Sequence, residues 1–175
     1  MIPKVKSSYN KIEAQRKRLL KEIAEMSEEQ LFFKPTPDSW NVLQVCMHLI
    51  IAEENSLAYM KRKIKGIDKI KNAGILTQLR LKLLNSLVST RIKFKAPKVV
   101  ELDQKMHIEN FDSVHKRWDE IRKNLYNFAD KLDYERSEKL IFKHPIAGMF
   151  NIRQLFDFIR THVRHHHYQV ERIKS

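Results

Sequence analysis

Two histidines one helical turn apart, His162 and His166, head the residues able to do chemistry in this chain. They fall in the run from Phe150 to Ile173, whose apolar spacing predicts one long helix. A helix repeats every ~3.6 residues, so side chains four apart leave from nearly the same side. On a helical wheel Leu155, His162, His166, Gln169 and Ile173 lie within roughly 60° of one another, with Phe158 and Ile159 beside them. Two imidazoles and an amide therefore interrupt a core stripe. Burying imidazoles without partners costs a few kcal/mol, which either internal hydrogen bonds or one shared divalent ion would offset. The same wheel puts His165 at the edge of the stripe and His167 outside it, which predicts solvent exposure for His167.

Of the chain's eight histidines, His48 is the one other predicted to face inward. His107 and His115 fall off the apolar seam of their helix and are assigned to solvent. Three neutral imidazoles (His48, His162 and His166) leave at least one coordination position open for water or substrate. Imidazole ligation suits Zn, Ni, Fe or Cu, and spacing does not choose among them. The lone cysteine, Cys46, lies two residues from His48 on a different face and reads as a small buried helix residue. No general acid or base can be named: Glu53 and Glu54 follow His48 on its helix and read as solvated surface acids.

These histidines need helices to carry them. Ser7 or Ser8 can cap a first helix with apolar positions Tyr9, Ile12, Leu19, Leu20, Ile23 and Met26. Ser27-Glu28-Glu29-Gln30 has the spacing of a capping box, and Pro35 and Pro37 enforce a loop after it. Asn41 and Gln44 form a second capping box, with Trp40 and Val45 as a hydrophobic staple, opening a helix that runs to near Ile64. Its buried stripe is Val45, Leu49, Ala52, Ser56 and Tyr59, with His48 on the border. Gly66 and Gly74 bracket a basic connection. Ile75, Leu76, Leu79, Leu83, Leu84 and Leu87 then predict a shorter amphipathic helix ending before Pro97. Phe111, Val114, Trp118, Ile121, Leu125, Phe128 and Leu132 alternate three and four apart, a bundle-type seam. A turn over Lys143–Gly148 precedes the last helix, whose Asn151 and Gln154 repeat the capping box. The pattern predicts an all-α fold, a four-helix bundle with a long crossover between helices two and three that contains a short extra helix.

Composition bounds the rest. A length of 175 residues suits a single domain over 1–175 with a sizeable core. Only 3 glycines and 5 prolines starve an all-β fold of turns. One cysteine excludes an internal disulfide framework and fits a reducing compartment. No apolar run reaches the ~20 residues of a membrane span, and no signal peptide is visible after Met1, so a cytoplasmic location is expected. The formal charge of +13 is concentrated: Lys61–Lys98 holds twelve Lys/Arg against the single acid Asp68.

The segment Trp40-Asn41-Val42-Leu43-Gln44-Val45-Cys46-Met47-His48-Leu49 resembles the second-helix motif of the DinB-like superfamily, which includes metal-dependent hydrolases of the YfiT type. His144-Pro145, Gly148 and His162-Val163-Arg164-His165-His166-His167-Tyr168-Gln169 resemble its C-terminal motif. The order of helices, the long crossover and the loop Lys34–Asp38 agree, so the resemblance spans essentially the whole chain. It implies a DinB/YfiT-like four-helix bundle with a three-histidine metal site near one end, often in a homodimer. Carried over position by position, the ligands are His48, His162 and His166; His165 matches a frequent family histidine that is not normally a ligand, and Gln169 a recurring polar neighbour. Activities assigned in the family are often metal-dependent transfer or isomerisation using a thiol cofactor. The basic insertion is heavier here, and Arg164 and Tyr168 fill positions often held by smaller residues.

Three functions are open on this reading. The first is a divalent-metal enzyme (Zn, Ni or Fe) acting on a small-molecule substrate, as a transferase using a low-molecular-weight thiol or as a hydrolase. The second is a non-catalytic module whose basic 61–98 segment meets nucleic acid or an anionic surface. Aromatic interleaving of the kind single-strand binders use is missing there, Phe94 being the one aromatic, so a solvated, charge-rich crossover is the favoured account of that segment. The third is a metal that only staples the bundle.

Overall fold

A computed structural model describes residues 1–89, 108 and 110–174. In chain order these form α1 (Pro3–Ala24), α2 (Glu28–Phe32), α3 (Val42–Lys63), a 3-10 segment (Ile64–Lys69), α4 (Ile75–Ser89), α5 (Phe111–Asp130), α6 (Tyr134–Glu138), β1 (Phe142–His144), β2 (Gly148–Phe150) and α7 (Ile152–Lys174). The four long helices close into a ring: α1 packs on α7, α7 on α3, α3 on α5 and α5 on α1. The crossover helix α4 lies against α7. Among the described residues the fold is all-α apart from the antiparallel β1–β2 hairpin, which pairs Phe142 with Phe150 and His144 with Gly148, and an isolated bridge between Asn72 and Lys139.

The two helices that carry His48, His162 and His166 start by the same local chemistry. At α3 the Gln44 N–H donates to Asn41 Oδ1 at 2.8 Å, and the Asn41 N–H donates to Gln44 Oε1 at 3.1 Å. At α7 the Gln154 N–H donates to Asn151 Oδ1 at 2.9 Å and the Asn151 N–H to Gln154 Oε1 at 3.0 Å. Such reciprocal pairs satisfy donors that a helix start would otherwise leave open. All four residues are buried, so the caps are anchored inside the protein rather than fraying in solvent. Gln154 also donates from Nε2 to Thr77 Oγ1 at 3.1 Å, tying the start of α7 to α4.

Several expectations need correction. The first helix begins at Pro3, not at a Ser7 or Ser8 cap, because proline's fixed φ suits the first helical position and needs no N–H there. The turn at Lys143–Gly148 is a hairpin; Gly148 takes φ +82, the left-handed region open to glycine. Of the six apolar residues that predicted α4 as an amphipathic helix, only Leu84 is buried. Thr77, Leu81 and Leu84 point inward instead, while Ile75, Leu76, Leu79 and Leu83 are exposed. This helix is apolar on two sides, so its leucine spacing does not reveal which side meets the core. The expected helix end before Pro97 and the placement of His107 lie outside the described residues.

Glu53 is also not a solvated acid. It is 2% exposed, its Oε1 accepts from Arg122 Nη2 at 2.7 Å and from Trp118 Nε1 at 3.3 Å, and Arg122 is itself buried. The pair joins α3 to α5 inside the bundle. Glu54, one residue on, pairs with Arg117 near the surface at 2.7 Å. Removing one member of a buried pair strands the other charge, at a cost of about 3–5 kcal/mol, whereas replacing both with apolar residues is often neutral. Arg122→Met should therefore lower stability in urea denaturation by about that amount. Adding Glu53→Leu should recover most of the loss, and a double variant as unstable as the single one would contradict this account.

Candidate metal site

His48 sits on α3 two turns past its buried cap, and His162 and His166 sit one turn apart on α7. The α3–α7 seam brings the three rings together. His162 Nε2 lies 3.2 Å from His48 Nε2 and 3.2 Å from His166 Nε2, and the three nitrogens all fall within 4.8 Å of one another. His48 and His166 are buried and His162 is half-buried. The expected trio thus converges through one nitrogen type.

Each imidazole has a neighbour that fixes its ring. Trp40 lies over His48, with ring centroids 5.0 Å apart. Phe158 stacks on His162 at 5.3 Å and 16°. His166 Nδ1 faces Gln169 Oε1 at 2.9 Å, a bond the ring can only donate because the amide oxygen is an acceptor. That bond puts the His166 proton on Nδ1 and leaves a lone pair on Nε2, the nitrogen turned toward the other rings. An outer hydrogen bond that sets the tautomer in this way is the usual companion of an imidazole ligand. Trp40 reads in the sequence only as a helix staple and Phe158 only as a core flank; their ring contacts depend on side-chain directions that spacing does not give.

The donor set suits a divalent ion. Nitrogens bound to one ion at ~2.0–2.1 Å, with ~90–110° between bonds, are about 2.9–3.4 Å apart, and both 3.2 Å separations fall inside that range. Burial, then the neighbouring His166 and His48, holds the His162 pKa well below the ordinary range. Burial, then His48, takes His166 down to about 3. Both rings are therefore neutral at pH 7, the protonation state that ligation requires. Cys46 takes no part: its thiol is fully buried and pushed up to about 12 by that burial, so no thiolate is available at neutral pH.

His165 touches the edge of the cluster, its ring 5.1 Å from His166. His144, from the hairpin, accepts from the Ile146 and Ala147 N–H groups through Nδ1 at 3.2 and 3.1 Å and packs on Phe158. Burial lowers its pKa to about 4. His167 overturns the expectation of exposure: it is 8% exposed and its Nε2 meets Glu22 Oε2 at 2.6 Å, joining α7 to α1. With Glu171 these residues make a second His–carboxylate group, already engaged by Arg18, which pairs with Glu22 at 3.1 Å. The wheel marks His167 as off the α3-facing stripe but does not register that α1 covers that side as well. His115 is half-buried beside Asp119.

A family model described as the DinB superfamily matches residues 11–170. A relative from Bacillus subtilis (strain 168), the "Uncharacterized protein YuaE", is 24% identical over 154 residues, covering 88% of this chain and 89% of the relative. No solved structure matches the chain. Among the described residues no helix is long and apolar enough to cross a membrane.

The buried neutral histidines set an acid limit on stability. Unfolded, each protonates near 6.5, whereas folded His166 and His144 stay neutral down to about 3 and about 4. The unfolded state therefore binds more protons below pH ~6.5, and their contribution, complete above that pH, is lost as pH falls toward 4. In metal-free protein each should subtract about 2 kcal/mol by pH 5. Urea denaturation at pH 7.5, 6 and 5 checks this; a midpoint unchanged down to pH 5 would rule it out.

Proposed function

This chain belongs to the DinB superfamily, and from that premise we propose that it is a metal-dependent enzyme whose one divalent ion is held by His48, His162 and His166. The observation that carries the proposal is the convergence of the three rings, His162 Nε2 lying 3.2 Å from both His48 Nε2 and His166 Nε2, with the His166 tautomer already set by Gln169. Zn, Ni or Fe suits such a set. With three protein ligands, at least one position stays open for a small-molecule substrate, unlike a closed structural site with four. A bound ion supplies Lewis acidity there, lowering the pKa of a water or thiol at the open position so that a nucleophile forms near pH 7.

The chain's own residues supply orientation and charge around that position. Trp40 and Phe158 wall the histidine cluster with apolar rings and limit water. His165, its ring 5.1 Å from that of His166, is a further side chain at the cluster's edge able to donate or accept a proton. The protein contributes no thiolate, so a sulfur nucleophile would have to come from a low-molecular-weight thiol as cosubstrate. Transfer with such a thiol is the favoured reaction class and hydrolysis the companion one. A purely stapling metal predicts a different outcome: metal removal would lower the melting temperature with no turnover of any thiol or ester.

Metal content tests the site directly. Purified wild-type protein should carry near-stoichiometric divalent metal by elemental analysis, and His48→Ala and His162→Ala should each lose it. Low metal content that neither variant changes would sink the proposal. Gln169→Leu keeps all three ligands but removes the bond that orients His166, and should weaken metal affinity about 10–100-fold. Metal-loaded protein is then assayed with several low-molecular-weight thiols and electrophilic acceptors; turnover abolished in His48→Ala supports the enzyme reading.

A further inference from the structure

A second cluster of metal-ligating side chains lies on the α1 side of α7. Glu22, His167 and Glu171 offer one imidazole nitrogen and two carboxylate oxygens, all within 4.8 Å of one another. His167 and Glu171 are one turn apart on α7, so their spacing sets two donors on one side, and Glu22 comes from α1. The two helices run in the same direction, Ser8 meeting Asp157 near their starts and Glu22 meeting His167 near their ends. Glu22 and Glu171 therefore stand in the last turns of helices that end at Ala24 and Lys174. The open carbonyls there carry partial negative charge and favour a cation. An ion pair accounts for only part of this arrangement. His167 Nε2 meets Glu22 Oε2 at 2.6 Å, but Glu171 Oε1 is 3.9 Å from the same nitrogen, too far for a hydrogen bond. One N–H serves one acceptor, and the second carboxylate turns toward it at the cost of lying beside the first. Arg18 meets Glu22 through its other oxygen, Oε1, at 3.1 Å. That pair is largely exposed and weak, and it leaves Oε2 at the imidazole.

We propose that Glu22, His167 and Glu171 bind a second divalent ion of the zinc type, beyond the one that His48, His162 and His166 hold for chemistry. The donor set selects the ion. Zinc takes imidazole nitrogen and carboxylate oxygen together, whereas magnesium and calcium draw on oxygen. Ligand atoms on one zinc ion lie about 2.9–3.4 Å apart, and the separations of 2.6 and 3.9 Å straddle that range. Bringing both inside it takes shifts on the order of half an ångström. Glu22 and Glu171 have that freedom, their side chains being 32% and 52% exposed, while His167 is buried and supplies the fixed ligand. As the ion enters, the hydrogen on Nε2 gives way to it and the neutral ring keeps its one N–H on Nδ1. Water completes the shell on the solvent side. The ion clamps the end of α1 to the end of α7, one residue from the ligand His166.

Isothermal titration calorimetry of the metal-stripped full chain with zinc is the test. Wild type should take two equivalents. Glu22→Gln/Glu171→Gln keeps side-chain size, leaves the three-histidine cluster untouched and should take one. His48→Ala/His162→Ala should retain this site alone, taking one equivalent that a tenfold excess of magnesium does not displace, and filling it should raise the melting temperature. Adding His167→Gln to that variant should weaken its zinc affinity by at least the ~10–100-fold that a change outside the ligand shell costs. Should His48→Ala/His162→Ala misfold, the difference between wild type and Glu22→Gln/Glu171→Gln decides alone. Should the three-histidine cluster bind nothing, the counts fall to one and zero, and that difference still supports this site. A wild-type count that Glu22→Gln/Glu171→Gln leaves unchanged, or an ion in His48→Ala/His162→Ala that magnesium displaces, would overturn the proposal.

Discussion

Three imidazoles packed so that His162 Nε2 lies 3.2 Å from the Nε2 of each of the other two are the constraint around which the rest of the structure is arranged. Neutral imidazole has one N–H and one lone pair, and His166 has given its N–H to Gln169. His162 Nε2 faces two such nitrogens at once. A single proton there can serve one neighbour well and leaves the other contact between lone pairs, while protonating a second ring puts charge into a buried site. A cation at the shared centre would answer the lone pairs of all three rings together. The surrounding residues hold the rings in place: an indole over His48, a stacked phenyl on His162, an amide on His166 and a buried capping box at the start of each carrier helix.

Much of this was legible in the sequence, and the reasons are local. Asn41 with Gln44 and Asn151 with Gln154 announce helix starts because the capping bonds span three residues and need no tertiary partner. His162 and His166 announce a shared face because helical phase is fixed by four-residue spacing. His48 required one further step, the inference that its helix turns that side inward, and α3 is in fact buried all round over residues 42–50.

What the sequence concealed depends on neighbours distant along the chain. Glu53 looks like any surface acid until Arg122 and Trp118, more than sixty residues later, are packed against it. His167 looks solvent-facing until α1 brings Glu22 to it. The leucines of α4 misled in the opposite direction, since hydrophobic periodicity identifies an apolar side without saying what covers it. In each case the composition of the helix was correctly weighed and its surroundings were not.

The caps also determine where the chain can tolerate a change of length. His48 lies seven residues beyond Asn41, and His162 and His166 lie eleven and fifteen beyond Asn151, with unbroken helix between. Each residue added or deleted in those intervals turns everything beyond it by ~100° relative to its cap. A single insertion would swing a ring nitrogen out of the cluster while leaving composition, helicity and hydrophobic content almost unchanged. None of His48, His162 and His166 lies between α4 and α5, and the entropic cost of joining two elements grows only slowly with the length between them. Length variation among relatives should accordingly collect in that crossover and stop at the two asparagines.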